Sequence, residues 1–172
     1  MNLVGNTFDF GQNNQNTVYL SLLEKSLEKK AACLDELIEL TAKQEALIAA
    51  DQLEDEQFVS IIGCKSELIK KIDELDSGFE QLYQRVQEEL KASPGAYRTQ
   101  VERLKKLIAE VTDKGVKLEV MERRNKDKMD IYFRTKRDSI RSFKVNSRTA
   151  AKYYSSINNA SINSTYFFDE KK

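Results

Sequence analysis

The chain has 172 residues, 33% of them charged and 40% hydrophobic, with one proline, six glycines and no histidine. That composition fits one mainly helical domain with polar ends, and the lack of imidazole removes histidine-based metal sites, catalytic triads and imidazole acid–base chemistry. Acidic and basic side chains balance at 28 each, and no run approaches 18 apolar residues, so no membrane-spanning helix is expected.

The first sixteen residues, MNLVGNTFDFGQNNQN, hold one charged side chain, two glycines and five asparagines. No helical period runs through them, and no basic stretch leads into an apolar one. Residues 1–16 are therefore expected to form a flexible arm without a secretory signal, and the expected compartment is the cytoplasm. Thr17 is the expected N-cap of a first helix reaching about Ala50. Its apolar stripe is Leu20, Leu23, Leu27, Leu34, Leu37, Ile38, Thr41 and Ile48, interrupted by Lys30 and Gln44. The connection AADQLEDE offers Asp51 as a cap and acidic residues for the next helix, so a short antiparallel turn is expected.

From Glu54 to Leu90 the apolar residues fall on a heptad. With Phe58 at a, that column reads Phe58, Lys65, Ile72, Phe79 and Val86, and the d column reads Ile61, Leu68, Leu75 and Leu82; Lys65 is the main break. Such a helix would run roughly 55 Å and needs long neighbours to bury its seam. Two cysteines are too few for a disulfide framework. In a hairpin turning near Gln52, Cys64 lies opposite Leu40 and roughly 10 Å from Cys33 along the axis, so two reduced thiols are expected.

Ser93 followed by Pro94 reads as an N-cap and first helical position. The third pattern carries Tyr97, Val101, Leu104, Ile108, Val111, Leu118, Met129, Tyr132 and Phe143, interrupted by Gly115, Glu122, Asn125, Lys136 and Ser139. Continued to Val145 it would reach roughly 78 Å and overhang the hairpin, leaving Tyr132, Phe133, Ile140 and Phe143 among five basic residues for the tail or a partner to cover. The expected fold is all-α: an elongated antiparallel bundle of three long helices, a coiled-coil-like hairpin plus a longer third helix, with flexible terminal segments. Residues 17–145 form the bundle and 146–172 a mobile tail. That tail is rich in Ser and Asn yet carries Tyr153, Tyr154, Ile157, Ile162, Tyr166, Phe167 and Phe168, a set of apolar anchors that implies no core position and suits docking on a partner.

Charge is segregated along the chain. Residues 17–92 hold 17 acidic and 9 basic side chains, and residues 93–148 hold 8 acidic and 16 basic. A basic third helix lying on an acidic hairpin accounts for this, as does an acidic partner. Nucleic acid fits poorly, since no recognition motif accompanies the arginines. Phosphate-binding loops, dinucleotide fingerprints, paired-cysteine motifs and nucleophile elbows are all absent from the sequence. Hence no enzyme, cofactor or metal is expected, and no catalytic residue is assigned.

The segment KQEALIAADQLEDEQFVSIIGCKSELIKKIDELD, residues 43–76, resembles the flagellar export chaperone family FlgN, and the final YFFDEKK is similar to the ending of FlgN-like chains. The resemblance implies an all-helical cytoplasmic chaperone that holds hook–filament junction proteins before type III secretion and prevents their premature assembly, with export-apparatus components as further partners. It places client binding in the carboxy-terminal part, and so on Tyr153, Tyr154, Ile157, Ile162, Tyr166, Phe167 and Phe168, with Tyr132, Phe133, Ile140 and Phe143 as secondary candidates. A FliT-like chaperone for the filament cap protein and a non-enzymatic coiled-coil adaptor are the alternatives; monomer and dimer both fit.

Overall fold

The computed structural model describes residues 7–53, 55–135 and 148–156. Three long helices account for most of them: α1 (Thr7–Ala49), α2 (Glu56–Ala92) and α3 (Arg98–Thr135), followed by a short α4 (148–156). No strand occurs among the described residues. The fold is all-helical, as the periodicity requires, but with a fourth helix.

Several boundaries differ from those expected. Helix α1 begins at Thr7, ten residues before Thr17, so residues 7–16 are helical and not part of an arm. Asn16 at this end is buried, its side-chain amide 3.5 Å from the Tyr97 hydroxyl. At 43 residues α1 is the longest described helix, against 37 in α2 and 38 in α3. Helix α3 is unbroken through Gly115, while its expected continuation from residue 136 to Val145 lies outside the described residues.

Asp51 does not cap α2. It ends α1, at a φ of 60°. Its amide donates to Ile48 O and that of Gln52 to Leu47 O, the paired bonds that close a helix whose next residue is left-handed. The cap of α2 is Asp55, whose Oδ1 accepts from the Gln57 amide at 2.8 Å. A β-branched residue fits a left-handed position badly, so Asp51→Val should lower stability by about 1 to 2 kcal/mol, read as a shifted urea midpoint. At the other turn, Ser93 O accepts from the Ala96 amide, with Pro94 and Gly95 between them, and α3 starts only at Arg98. Pro94 thus shapes a β-turn and is not the first residue of the helix.

The chain packs as two compact units. In the first, residues 7–31 and 74–111 bury Leu20, Leu23, Leu27, Phe79, Val86, Tyr97 and Leu104. Lys30, one of the breaks in the α1 stripe, meets Asp76 of α2 at 2.6 Å, and Glu24 meets Arg103 of α3 at 3.2 Å. The second unit holds 32–53, 55–73, 112–135 and 148–156. Its core contains Leu34, Leu37, Phe58, Ile62, Ile69, Ile72, Leu118 and Met129.

Within the second unit α1 and α3 run parallel, because their partners keep a constant separation of 79 to 83 residues. Asp35 pairs with Lys114, and Glu45 with Lys128 at 2.6 Å and Arg124 at 3.8 Å. The basic α3 therefore does lie on acidic residues of α1, as the segregated charge allowed. On α2 the a column is fully buried, whereas Leu68, Leu75 and Leu82 of the d column are only half-buried and Ile62 and Ile69 replace them inside. A helix that faces two neighbours needs a wider stripe than a two-stranded seam. Cys64 shares a groove with Leu40, matching the hairpin register, and both cysteines are free thiols.

Candidate functional site

The elements of the second unit converge near the α1–α2 turn. Ile48, Leu53, Phe58, Ile62 and Met129 form an apolar cluster there, and Ala150 of α4 joins it. Tyr132 and Phe133 of α3 and Tyr154 of α4 pack against this cluster. Tyr132 and Phe133, expected to be covered by the tail or by a partner, are thus half-buried against a cluster to which the returning chain contributes Ala150. Helix α4 presents Ala150, Tyr153 and Tyr154 inward, at i, i+3 and i+4, and leaves Arg148, Thr149, Ala151, Lys152 and Ser155 exposed. Nine residues are too few for a stable isolated helix, so these three contacts hold it in place.

Beside the apolar cluster lies a buried polar layer. Lys65 of α2 is fully buried, and its ammonium pairs with Glu122 Oε1 of α3. It also donates to Gln44 Oε1 of α1 at 2.6 Å, and its Nζ sits 4.3 Å from the centroid of the Tyr153 ring. An ammonium has three hydrogens, and these contacts use all of them. Glu122 Oε1 accepts from the Tyr153 hydroxyl at 2.6 Å, while Thr41 Oγ1 lies 2.6 Å from both that oxygen and Leu37 O and can donate to only one at a time. Asn125 donates from Nδ2 to Thr41 O at 2.9 Å. Glu122 Oε2 and Asn125 Oδ1 have no hydrogen-bond partner among the described residues.

These residues shift one another's acidity. Burial pulls the Lys65 ammonium down to about 8, with the adjacent Glu122 carboxylate opposing the shift. Tyr153 is pushed well above the ordinary phenol range by burial first and the Glu122 charge second, and Tyr154 moves the same way for the same two reasons. Since Lys65 loses its proton earlier in the folded chain than in the unfolded one, its contribution to stability rises with pH between about 8 and its ordinary value of 10.5. Tyr153 has the opposite sign, and its contribution is lost as pH climbs past 10. We therefore expect the stability of the wild type relative to Lys65→Met to grow by about 2 kcal/mol between pH 8 and 10, measured by urea unfolding at each pH. A flat difference would mean that Lys65 is solvated.

What this layer can do is hold four helical elements in one register. A charged pair inside a low-dielectric core tolerates little displacement, and Tyr153 ties the carboxy-terminal helix to it. No group of His, Cys, Asp or Glu among the described residues could hold a metal ion.

The partner-binding candidates are distributed unevenly. Tyr153 is 2% exposed and belongs to the core, contrary to the expectation that no residue beyond Val145 would. The reason is the carboxylate of Glu122, which gives the phenol a buried acceptor. Tyr154, Tyr132 and Phe133 are half-buried. Ile140, Phe143, Ile157, Ile162, Tyr166, Phe167 and Phe168 lie outside the described residues. Sequence reasoning missed Lys65, Glu122, Thr41, Gln44 and Asn125 as a unit.

A family model described as FlgN protein matches residues 20–161, a span that begins within α1 and includes α4. No curated protein and no solved structure matches the chain.

Proposed function

Because the chain belongs to the FlgN family, a family of flagellar chaperones, we propose that it is a cytoplasmic export chaperone for hook–filament junction proteins. The observation that carries this reading is the family match itself, which spans both units. The chaperone binds its clients before type III secretion and keeps their assembly surfaces covered. Ile157, Ile162, Tyr166, Phe167 and Phe168 bear most of the contact, by coupled folding with an amphipathic client terminus, and Tyr132, Phe133 and Tyr154 are the nearest surfaces to extend it. Tyr153 serves as the anchor that sets where this segment leaves the bundle. The ordering cost keeps affinity moderate, which suits a client that must be handed on. The reaction is binding and release, with no catalytic step, cofactor or nucleotide.

The test is a pull-down from native cytosol with three chains: full length, ending at Ser156, and ending at Val145. Recovery of a hook-junction protein by the full chain alone supports the assignment to residues 157–172. Recovery by the chain ending at Ser156 but not by the one ending at Val145 moves the contact to α4. If the full chain recovers no flagellar protein, the function is wrong.

A further inference from the structure

Between α1 and α2, the second unit carries an open groove of about 650 Å³. Its floor is built from Leu40, Leu68, Gly63 and Cys64. Carboxylates stand on both banks, Glu36 and Glu39 from α1 and Glu67 from α2, with Lys43 as the lining cation. The hairpin in this unit is strongly acidic, with ten acidic against four basic side chains in residues 32–73. Asp35 and Glu45 are taken up by lysines of α3, but Glu36 and Glu39 have no ion pair among the described residues. Among the described residues Glu67 pairs with Lys70, three residues on in the same helix, with both side chains largely in solvent, a pairing that yields easily to a competing cation.

Gly63 adds a second observation. Glycine inside a helix weakens it, and its usual justification is a positive φ or a close backbone neighbour. Gly63 has neither, as is also true of Gly78 in α2 and Gly115 in α3: its φ is not positive, and a Cβ at this position meets nothing within 4 Å. The fold gains nothing from the missing side chain. What it leaves is an open floor between two half-buried leucines.

We propose that this groove is a docking site for a basic amphipathic helix of a partner protein, distinct from the client and bound on a separate surface. Leucine- or isoleucine-sized residues at i, i+3 or i+4, and i+7 lie on Leu40, Gly63 and Leu68. Lysines or arginines on either flank meet Glu36 and Glu39 on one bank and Glu67 on the other, the helix-in-groove mode with complementary charge. The assignment does not depend on which client the chaperone carries, because none of these residues lies in the carboxy-terminal part.

The full-length protein tests this directly, since Cys64 on the groove floor is exposed and Cys33 is buried. The probes are two synthetic 18-residue helices, one of lysine and leucine and one of glutamate and leucine, each with a single apolar face. The lysine peptide is expected to bind one-to-one and to protect Cys64 from a thiol reagent, while the glutamate peptide does neither. Gly63→Leu fills the floor and should abolish binding without lowering the melting temperature. Glu36→Gln with Glu39→Gln should weaken binding about tenfold, the effect of two exposed charge contacts. Binding that survives Gly63→Leu, or that leaves Cys64 fully reactive, overturns the proposal, as does failure of the lysine peptide to bind. Self-association of the chain that Gly63→Leu abolishes would assign the groove to a second copy and overturn the proposed partner.

Discussion

Glu122→Ala is expected to cost about 3 to 5 kcal/mol, because it strips the buried Lys65 ammonium of its counter-charge. The same substitution removes the carboxylate that accepts from the Tyr153 hydroxyl, leaving that hydroxyl only the side chain of Thr41 as a neighbouring hydrogen-bond partner among the described residues. Removing both charges together should behave differently. Lys65→Met with Glu122→Leu replaces the pair by apolar side chains of similar volume and avoids the desolvation of two ions, but it takes from Tyr153 its carboxylate acceptor and from Gln44 Oε1 its donor, so the double variant should be more stable than Glu122→Ala while remaining below the wild type. Urea unfolding of the wild type, Lys65→Met, Glu122→Leu and the double variant gives a coupling energy, and a large favourable one is expected. If Glu122→Ala cost less than 1 kcal/mol, water would have to reach Lys65 and the layer would not be a core feature.

The comparison also bears on why the layer exists. A hydrophobic replacement that restores stability but blurs the alignment of α1, α2 and α3 would mark the pair as a device for register. Three apolar seams without interruptions can slide past one another by a heptad at little cost, whereas Lys65 finds its acceptors at one position only.

The helices themselves were legible because each carries a long apolar stripe, and the hairpin register followed from the turn near Gln52. The fourth helix was not. Residues 148–156 have only Ala150, Tyr153 and Tyr154 to bury, too short a pattern to stand out against Ser and Asn. The start of α1 was missed because asparagine and glycine are poor helix formers, and propensity yields to tertiary contact such as that between Asn16 and Tyr97. The polar layer was visible in pieces. Gln44, Lys65, Glu122 and Asn125 each read as a flaw in a separate seam; together they are one site, since each break in a stripe faces a break on a neighbouring helix. A buried lysine on one seam and a glutamate on another, at heights that agree with the turn positions, is the signal that would have joined them. Lys30 and Asp76 repeat the device in the first unit, with more solvent around them.

Tyr153→Ala should release α4, and its effect is local before it is global. The substitution removes a fully buried ring and its hydrogen bond to a carboxylate, a loss of about 3 to 5 kcal/mol if the surroundings stayed fixed. They need not stay fixed. A helix of nine residues held by three side chains can undock, so the measured fall in global stability is capped at the free energy of docking. Hydrogen exchange separates the two. In Tyr153→Ala the amides of Ala150 to Tyr154 should lose their protection while those of α2 around Ile69 and Ile72 keep theirs. Tyr153→Phe retains the ring over Lys65 and loses only the hydroxyl, so it should weaken protection of α4 by about 1.5 to 3 kcal/mol, the value of a hydrogen bond to a charged group. Equal protection in all three chains would mean that Ala150 and Tyr154 suffice to hold the helix. The carboxylate of Glu122 would then serve Lys65 alone, and Tyr153 could no longer be the anchor for the partner-binding segment that follows it.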